Sequence, residues 1–197
     1  MKKATLLMAL SLLMTLSISA QRINVVEGKP NFLKGQRFIN IEFDYSDMTV
    51  GKKTEEAYVN EKVSEKNAKE AGEGDKWLES WTSSRESRYE PKFIELFSKY
   101  SPVKITPEEE QEYTLIVHTF FTDPGFNIGI KKRPSMVSFE YIFVETANPD
   151  NVVAILKQER VPGSQVAGFD YDVGSRIAES YAKGGKSLSK MLAKVMK

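Results

Sequence analysis

YTLIVHTFF at 113–121, SMVSFEYIFVET at 135–146 and NVVAILKQERV at 151–161 follow one another closely, and together they decide the fold. β-Branched and aromatic residues dominate all three runs, which marks them as strands. The first is apolar on both faces, as a central strand would be. The second and third are joined by Ala147–Asn148–Pro149–Asp150, whose side chains and fixed φ suit a hairpin turn and so an antiparallel pair.

Working upstream, RFINIEF at 37–43 alternates, with Phe38, Asn40 and Glu42 on one face and Ile39, Ile41 and Phe43 on the other. That is a half-buried strand bounded by Gly35 and the turn-prone Asp44–Asp47 stretch. INVVE at 23–27 is a shorter strand closed by Gly28 and Pro30. Between the second and third strands lie about 60 residues with helical character. Thr54 with Glu55 and Glu56 opens a charged, peripheral helix, since anions suit the positive end of a helix dipole. Gly72 and Gly74 end it, and Asp75 caps a second helix carrying Trp77, Leu78 and Trp81. Beyond Pro91, Phe93, Ile94, Leu96, Phe97 and Tyr100 continue an apolar face at 3- and 4-residue spacing. Downstream, Val173, Ile177, Tyr181, Leu188, Leu192 and Val195 keep one helical phase from about Asp172 to Met196, so Gly184–Gly185 is expected to bend that helix rather than end it. The order is β-β-α-α-β-β-β-α. It predicts a single α/β (α+β) domain: a mixed sheet of four or five strands with helices packed on it. The long helical crossover should bring the second and third strands parallel.

The first residues, MKKATLLMALSLLMTLSISAQR, carry a cationic start at Lys2–Lys3, an apolar run to about Leu16, and small residues up to Ala20. This is the pattern of a cleavable signal peptide over 1–20, with the cut near Ala20 and the domain over 21–197. Ile18 at the −3 position is not ideal, so the cut could slip by one or two residues. The address is the periplasm or the medium, with no transmembrane span in the mature protein. Losing Lys2 and Lys3 takes the basic residues from 28 to 26 against 27 acidic ones, a net charge of −1. That balance argues against a nucleic-acid partner. With no cysteine, thiol catalysis, disulfides, cysteine-ligated metals and a lipidated N-terminus are excluded.

His118 is the only histidine, so any Ser–His–Asp or Cys–His site would have to be built on it. Mid-strand between Ile116 and Phe120, it reads as a satisfied sheet histidine. Gly184-Gly185-Lys186-Ser187 ends like a phosphate-binding loop, but Ser180 stands where the first glycine belongs. Asp170 and Asp172 are spaced like calcium ligands, yet Tyr181 occupies the twelfth position, so helix capping is the better reading. Neither a cofactor nor a metal is implied. Two surfaces stand out. The loop 122–134, TDPGFNIGIKKRP, is longer than a hairpin needs and holds Phe126 and the cluster Lys131, Lys132 and Arg133. The last helix presents Lys183, Lys186, Lys190, Lys194 and Lys197 with no acid after Glu179.

The unit YTLIVHTFFTDPGFNIGIKKRPSMVSFEYIFVET, followed by a strand and a C-terminal helix, resembles a group of uncharacterised exported bacterial envelope proteins of the Bacteroides type, many of them small lipoproteins. The likeness runs over about residues 37–197, and the chain departs from the group in lacking the lipidation cysteine. The resemblance implies an envelope address and no activity. The expected role is that of a non-enzymatic binding protein whose partner is another envelope protein or the anionic membrane surface. It would engage that partner through Phe126, Lys131, Lys132 and Arg133 or through Lys186, Lys190 and Lys194. The alternative is a small periplasmic hydrolase using carboxylates such as Glu42, Asp44 and Asp47, since carboxylate enzymes need neither histidine nor cysteine.

Overall fold

β6 (Tyr113–Asp123) runs through the middle of the sheet, antiparallel to β9 (Met136–Glu145) on one side and parallel to β2 (Phe38–Asp44) on the other. The expected crossover is therefore present. The computed structural model describes residues 22–106, 111–163 and 172–196. The expected signal peptide with its cut near Ala20, Asp170 and Lys197 lie outside the described residues. β10 (Asn148–Pro162) pairs antiparallel with β9, and β1 (Ile23–Gly28) pairs antiparallel with β10 as one edge.

The sheet is larger than four or five strands: among the described residues it has eight, in the order β1-β10-β9-β6-β2-β5, with β3 and β4 attached beside β6. The additions are β3 (Thr49–Val50), β4 (Lys53–Thr54) and β5 (Lys104–Ile105). Each is two residues long, too short to show alternation in a sequence. A separate two-stranded ribbon joins β7 (Phe126–Asn127) to β8 (Lys132–Arg133). The turn between β9 and β10 is also tighter than expected. Asn148 already pairs with Glu145, so Thr146–Ala147 make the turn, and Pro149–Asp150 fall in an irregular start of β10.

Among the described residues three α-helices, not two, fill the crossover. α1 (Glu55–Asn67) is capped by the Thr54 side chain, as expected, but ends at Asn67. The Asn67 carboxamide oxygen then accepts from Gly72 N and Gly74 N at 3.1 and 2.8 Å. Gly72, at φ 86°, is the cap of α2 (Glu73–Ser84), and Asp75 lies in its first turn rather than at its cap. A π turn, Arg85–Tyr89, leads into α3 (Glu90–Tyr100). Pro91 accounts for it: the ring has no N–H for the Ser87 carbonyl and crowds it, so the preceding turn widens.

α3 and α4 (Val173–Val195) cover one face of the sheet. The core there is aromatic: Phe93 and Phe97 from α3, Phe139, Tyr141 and Phe143 from β9, and Tyr181 from α4 are all buried. Tyr181 meets Phe139 edge-on at 5.0 Å, and its hydroxyl hydrogen-bonds Thr119 at 2.7 Å. Tyr141 donates to Gln158 at 2.7 Å. Gly184 and Gly185 sit inside a continuous α4, both buried. They permit close packing. A Cβ on Gly185 would overlap the Phe93 carbonyl oxygen and lie 3.2 Å from Phe97 N, and one on Gly184 would lie 2.9 Å from the Phe139 ring.

Candidate functional site

The basic loop folds as a hairpin standing off the end of the main sheet. Asp123, the last residue of β6, starts it by accepting from Gly125 N at 3.0 Å, an Asx turn that Gly125 completes at φ 61°. Asn127 repeats the device with Gly129 N at 2.9 Å, and Gly129 has φ 80°. Ile128 N donates to Lys131 O at 3.0 Å and closes the tip. Arg133 faces back along the ribbon: it pairs with Asp123 at 2.9 Å and its guanidinium lies 5.6 Å from the centre of the Phe126 ring. Phe126 and Arg133 thus hold the hairpin together. Lys131 and Lys132 are exposed.

Apolar residues flank the turn glycine Gly129, just ahead of the lysines. Ile128 is 64% exposed and Ile130 is 90% exposed. Two exposed isoleucines at a tip stand out because β-branched apolar residues in a loop usually fold under it. The signal was present in NIGIKK, as apolar residues on both sides of a turn glycine.

The second basic surface is only partly what the spacing suggested. Burial lowers the Lys183 pKa against the opposing pull of Glu179, so this side chain is not simply a solvated charge. Lys186 and Lys190 converge with Lys99 on the Tyr100 ring, at 5.0, 5.6 and 5.8 Å from its centre. Lys194 lies one turn further on, exposed. The two surfaces do not form one patch. The hairpin adjoins the first turn of α4, where Arg176 donates to Pro124 O at 3.3 Å. Lys190 is fourteen residues along the helix, about 21 Å away at 1.5 Å per residue.

The face of the sheet away from α3 and α4 carries a polar row. Along the strand register Asp44, His118, Glu140, Lys157 and Asn24 lie side by side on β2, β6, β9, β10 and β1. His118 Nδ1 bonds Asp44 Oδ2 at 2.8 Å, and Lys157 lies 3.6 Å from Glu140 and 4.5 Å from the centre of the Phe120 ring. Two residues along the strands is an apolar row, Ile116, Ile142 and Ile155, flanked by Glu42 and Glu27. On β6 and β10 these positions are partly exposed and alternate with fully buried ones, so solvent reaches this face.

His118 is satisfied in the sheet by Asp44. Ser46 donates to Asp44 from N to Oδ1 at 2.9 Å and from Oγ to Oδ2 at 2.8 Å, the oxygen that also meets His118 Nδ1, so the serine hydroxyl is bonded to the carboxylate and not to the imidazole and the three do not make a nucleophilic triad. Burial alone would raise the Asp44 carboxyl. The hydrogen bonds from Ser46 and His118 outweigh it and hold the pKa below the ordinary value. Asp44 is therefore a poor proton donor near neutrality. Glu42 and Asp47 are exposed, and Asp47 occupies a turn at φ 54°. The groove between α3 and α4, about 420 Å³, is lined by Arg88, Pro91, Lys92, Glu95, Ser175 and Glu179, and not by these three carboxylates. Asp172 caps α4 by accepting from Gly174 N and Ser175 N at 3.1 Å and pairs with Arg88. Among the described residues no group of three His, Cys, Asp or Glu side chains could hold a metal ion, and no helix is long and apolar enough to cross a membrane.

No protein-family model matches the chain, and no curated protein matches it. Two solved structures share its outline faintly. One is the PelC dodecamer from Paraburkholderia phytofirmans, with 13% identity, a TM-score of 0.40, and coverage of 85% of this chain and 96% of that one. The other is a substituted PelC dodecamer from the same organism, with 12% identity, a TM-score of 0.36, and coverage of 83% and 96%.

Proposed function

We propose that this is an exported, non-enzymatic envelope protein that docks on an anionic membrane surface through the tip of the 126–133 hairpin. The observation that supports it is the exposure of Ile128 and Ile130 directly beside Lys131 and Lys132. A short apolar tip bordered by cations matches a bilayer interface, where apolar side chains enter the headgroup boundary and ammonium groups meet anionic lipid. Full burial of each isoleucine would contribute about 1.5–3 kcal/mol. Each lysine adds about 1 kcal/mol near an anionic surface. The sum describes reversible docking rather than insertion.

Vesicle co-sedimentation of residues 21–197 tests it, with anionic and zwitterionic vesicles at low and high salt. The chain should bind anionic vesicles and release at high salt, since exposed charges are screened beyond about 8 Å at physiological ionic strength. Ile128→Ser with Ile130→Ser should abolish binding while leaving stability within about 0.5 kcal/mol, as exposed substitutions do. Lys131→Ser with Lys132→Ser should weaken binding and flatten its salt dependence. Binding to an envelope protein in extracts without binding to vesicles would replace the lipid by a protein partner. Equal vesicle binding by the isoleucine variant and the parent would refute the hairpin as the contact.

A further inference from the structure

We propose that the open face of the sheet is the contact surface of a homodimer, in which two copies pack sheet on sheet about a two-fold axis parallel to the strands and running between β6 and β9. The inference does not rest on the lipid reading. It comes from the sign pattern of the polar row. From β2 to β10 the row reads Asp44, His118, Glu140, Lys157, alternating acid and base. A two-fold axis along the strands reverses the left-to-right order while keeping the level. Asp44 of one copy then faces Lys157 of the other, and His118 faces Glu140, each pairing occurring twice. An axis across the strands would instead set each residue of the row against itself, acid on acid and base on base. The row is therefore complementary to itself in one arrangement and repulsive in the other, which is how an isologous interface selects its geometry.

The centre of the apolar row fits the same operation. Ile116 and Ile142 occupy neighbouring strands on either side of the axis, so Ile116 of one copy faces Ile142 of the other, while the exposed Glu42 falls opposite Ile155 at the margin. The area reaches that of a small stable interface. About this axis β2, β6, β9 and β10 overlie one another, and four strands about 4.8 Å apart with a β6–β9 overlap of roughly ten residues at about 3.3 Å each give on the order of 600 Å² of face per copy. Stable interfaces start at about 600 Å² per partner. Two aligned sheets pack about 10 Å apart, close enough for these side chains to interdigitate.

Analytical ultracentrifugation of residues 21–197 should give a dimer. Lys157→Glu should weaken it at least tenfold, because it sets acid against Asp44 in two places. Adding Asp44→Lys to that variant should restore it. Circular dichroism melts identify any variant that fails to fold. For that case a second measurement uses the absence of cysteine from the chain. A nitroxide on Glu42→Cys, at the exposed rim, should report a pair distance of about 18 Å from backbone to backbone, three strand spacings across and one sheet spacing up. A monomeric parent, an unaffected Lys157→Glu dimer, loss without rescue by the double variant, or a spin-label pair beyond about 30 Å would each overturn the proposal.

Discussion

Replacing Gly185 by alanine tests whether the paired glycines of α4 serve packing or bending. A methyl group there would overlap the Phe93 carbonyl oxygen and lie 3.2 Å from both Phe93 C and Phe97 N. All three are backbone atoms of α3, so no rotamer change relieves the clash and the two helices must separate. Separation loosens Phe93, Phe97, Tyr181 and Leu188, which are all buried at this contact. Overpacking a tight core contact costs up to about 3 kcal/mol. Alanine returns about 1 kcal/mol of helix propensity over glycine. The net loss is about 2 kcal/mol, a fall in Tm of about 4–8 °C for a domain of this size. Gly184→Ala is the internal control. Its methyl group would meet the Phe139 ring at 2.9 Å and the Tyr141 hydroxyl at 3.0 Å, both side-chain atoms that can yield, so its Tm should fall less. Thermal melts and urea titrations of both variants decide the matter. A Gly185→Ala protein as stable as the parent, or more so, would refute the packing argument and return these glycines to the role of a bend.

Three further outcomes follow from the charged groups. Asp172→Ala should destabilise the protein by about 1–2 kcal/mol at pH 7 through loss of the α4 cap, while Asp172→Asn should keep most of the cap. Burial raises the Asp172 carboxyl, but Ser175, Arg88 and the Gly174 N–H outweigh it and lower the pKa. Its contribution is thus present at neutral pH and lost as pH falls through the lowered folded pKa, so urea midpoints of parent and Asp172→Asn should converge in acid. Glu90 runs the other way: burial raises its pKa, only partly offset by the hydrogen bond from the Tyr45 hydroxyl. Glu90→Gln should raise the urea midpoint at pH 7, an advantage that disappears below about pH 4, where the carboxyl is neutral in both states. Tyr181→Phe should cost about 1–2 kcal/mol by leaving the buried Thr119 hydroxyl without its partner.

The long elements were legible in the sequence because each carries enough residues for its period to show. β2, β6, β9 and β10 each hold seven residues or more, and the parallel pairing of β2 with β6 followed from the length of chain between them. β3, β4, β5, β7 and β8 are two residues long, and no periodicity exists in two residues. Their pairing is set by tertiary neighbours such as Thr49 beside Phe121. Asp75 suits a helix cap by residue type, but the chain enters α2 through a left-handed Gly72, a conformation closed to most side chains. At the hairpin the cations are the conspicuous feature of the sequence, whereas the structure commits Arg133 to Asp123 and leaves two isoleucines outside. The polar row was invisible for a different reason. Asp44, His118, Glu140 and Lys157 come from four strands, and only the register brings them level.

The proposed dimer and the proposed membrane contact meet in one geometric consequence. Rotation about an axis parallel to the strands leaves strand direction unchanged, so the end of β6 points the same way in both copies. Each hairpin grows from that end, beginning at Asp123. Both Ile128–Ile130 tips therefore face one side of the dimer and can meet one surface together. Two weak sites that engage at once hold far more strongly than either alone, because the second contact forms at the effective concentration set by the first. Vesicle binding should then depend on protein concentration and steepen where the dimer forms. Lys157→Glu, which leaves the hairpin untouched, should bind anionic vesicles at least tenfold more weakly than the parent at a concentration where the parent is dimeric. The isoleucine variant should show the converse, remaining dimeric while losing the vesicles. If Lys157→Glu is monomeric yet binds vesicles as tightly as the dimer, the two tips do not act together, and each hairpin works alone.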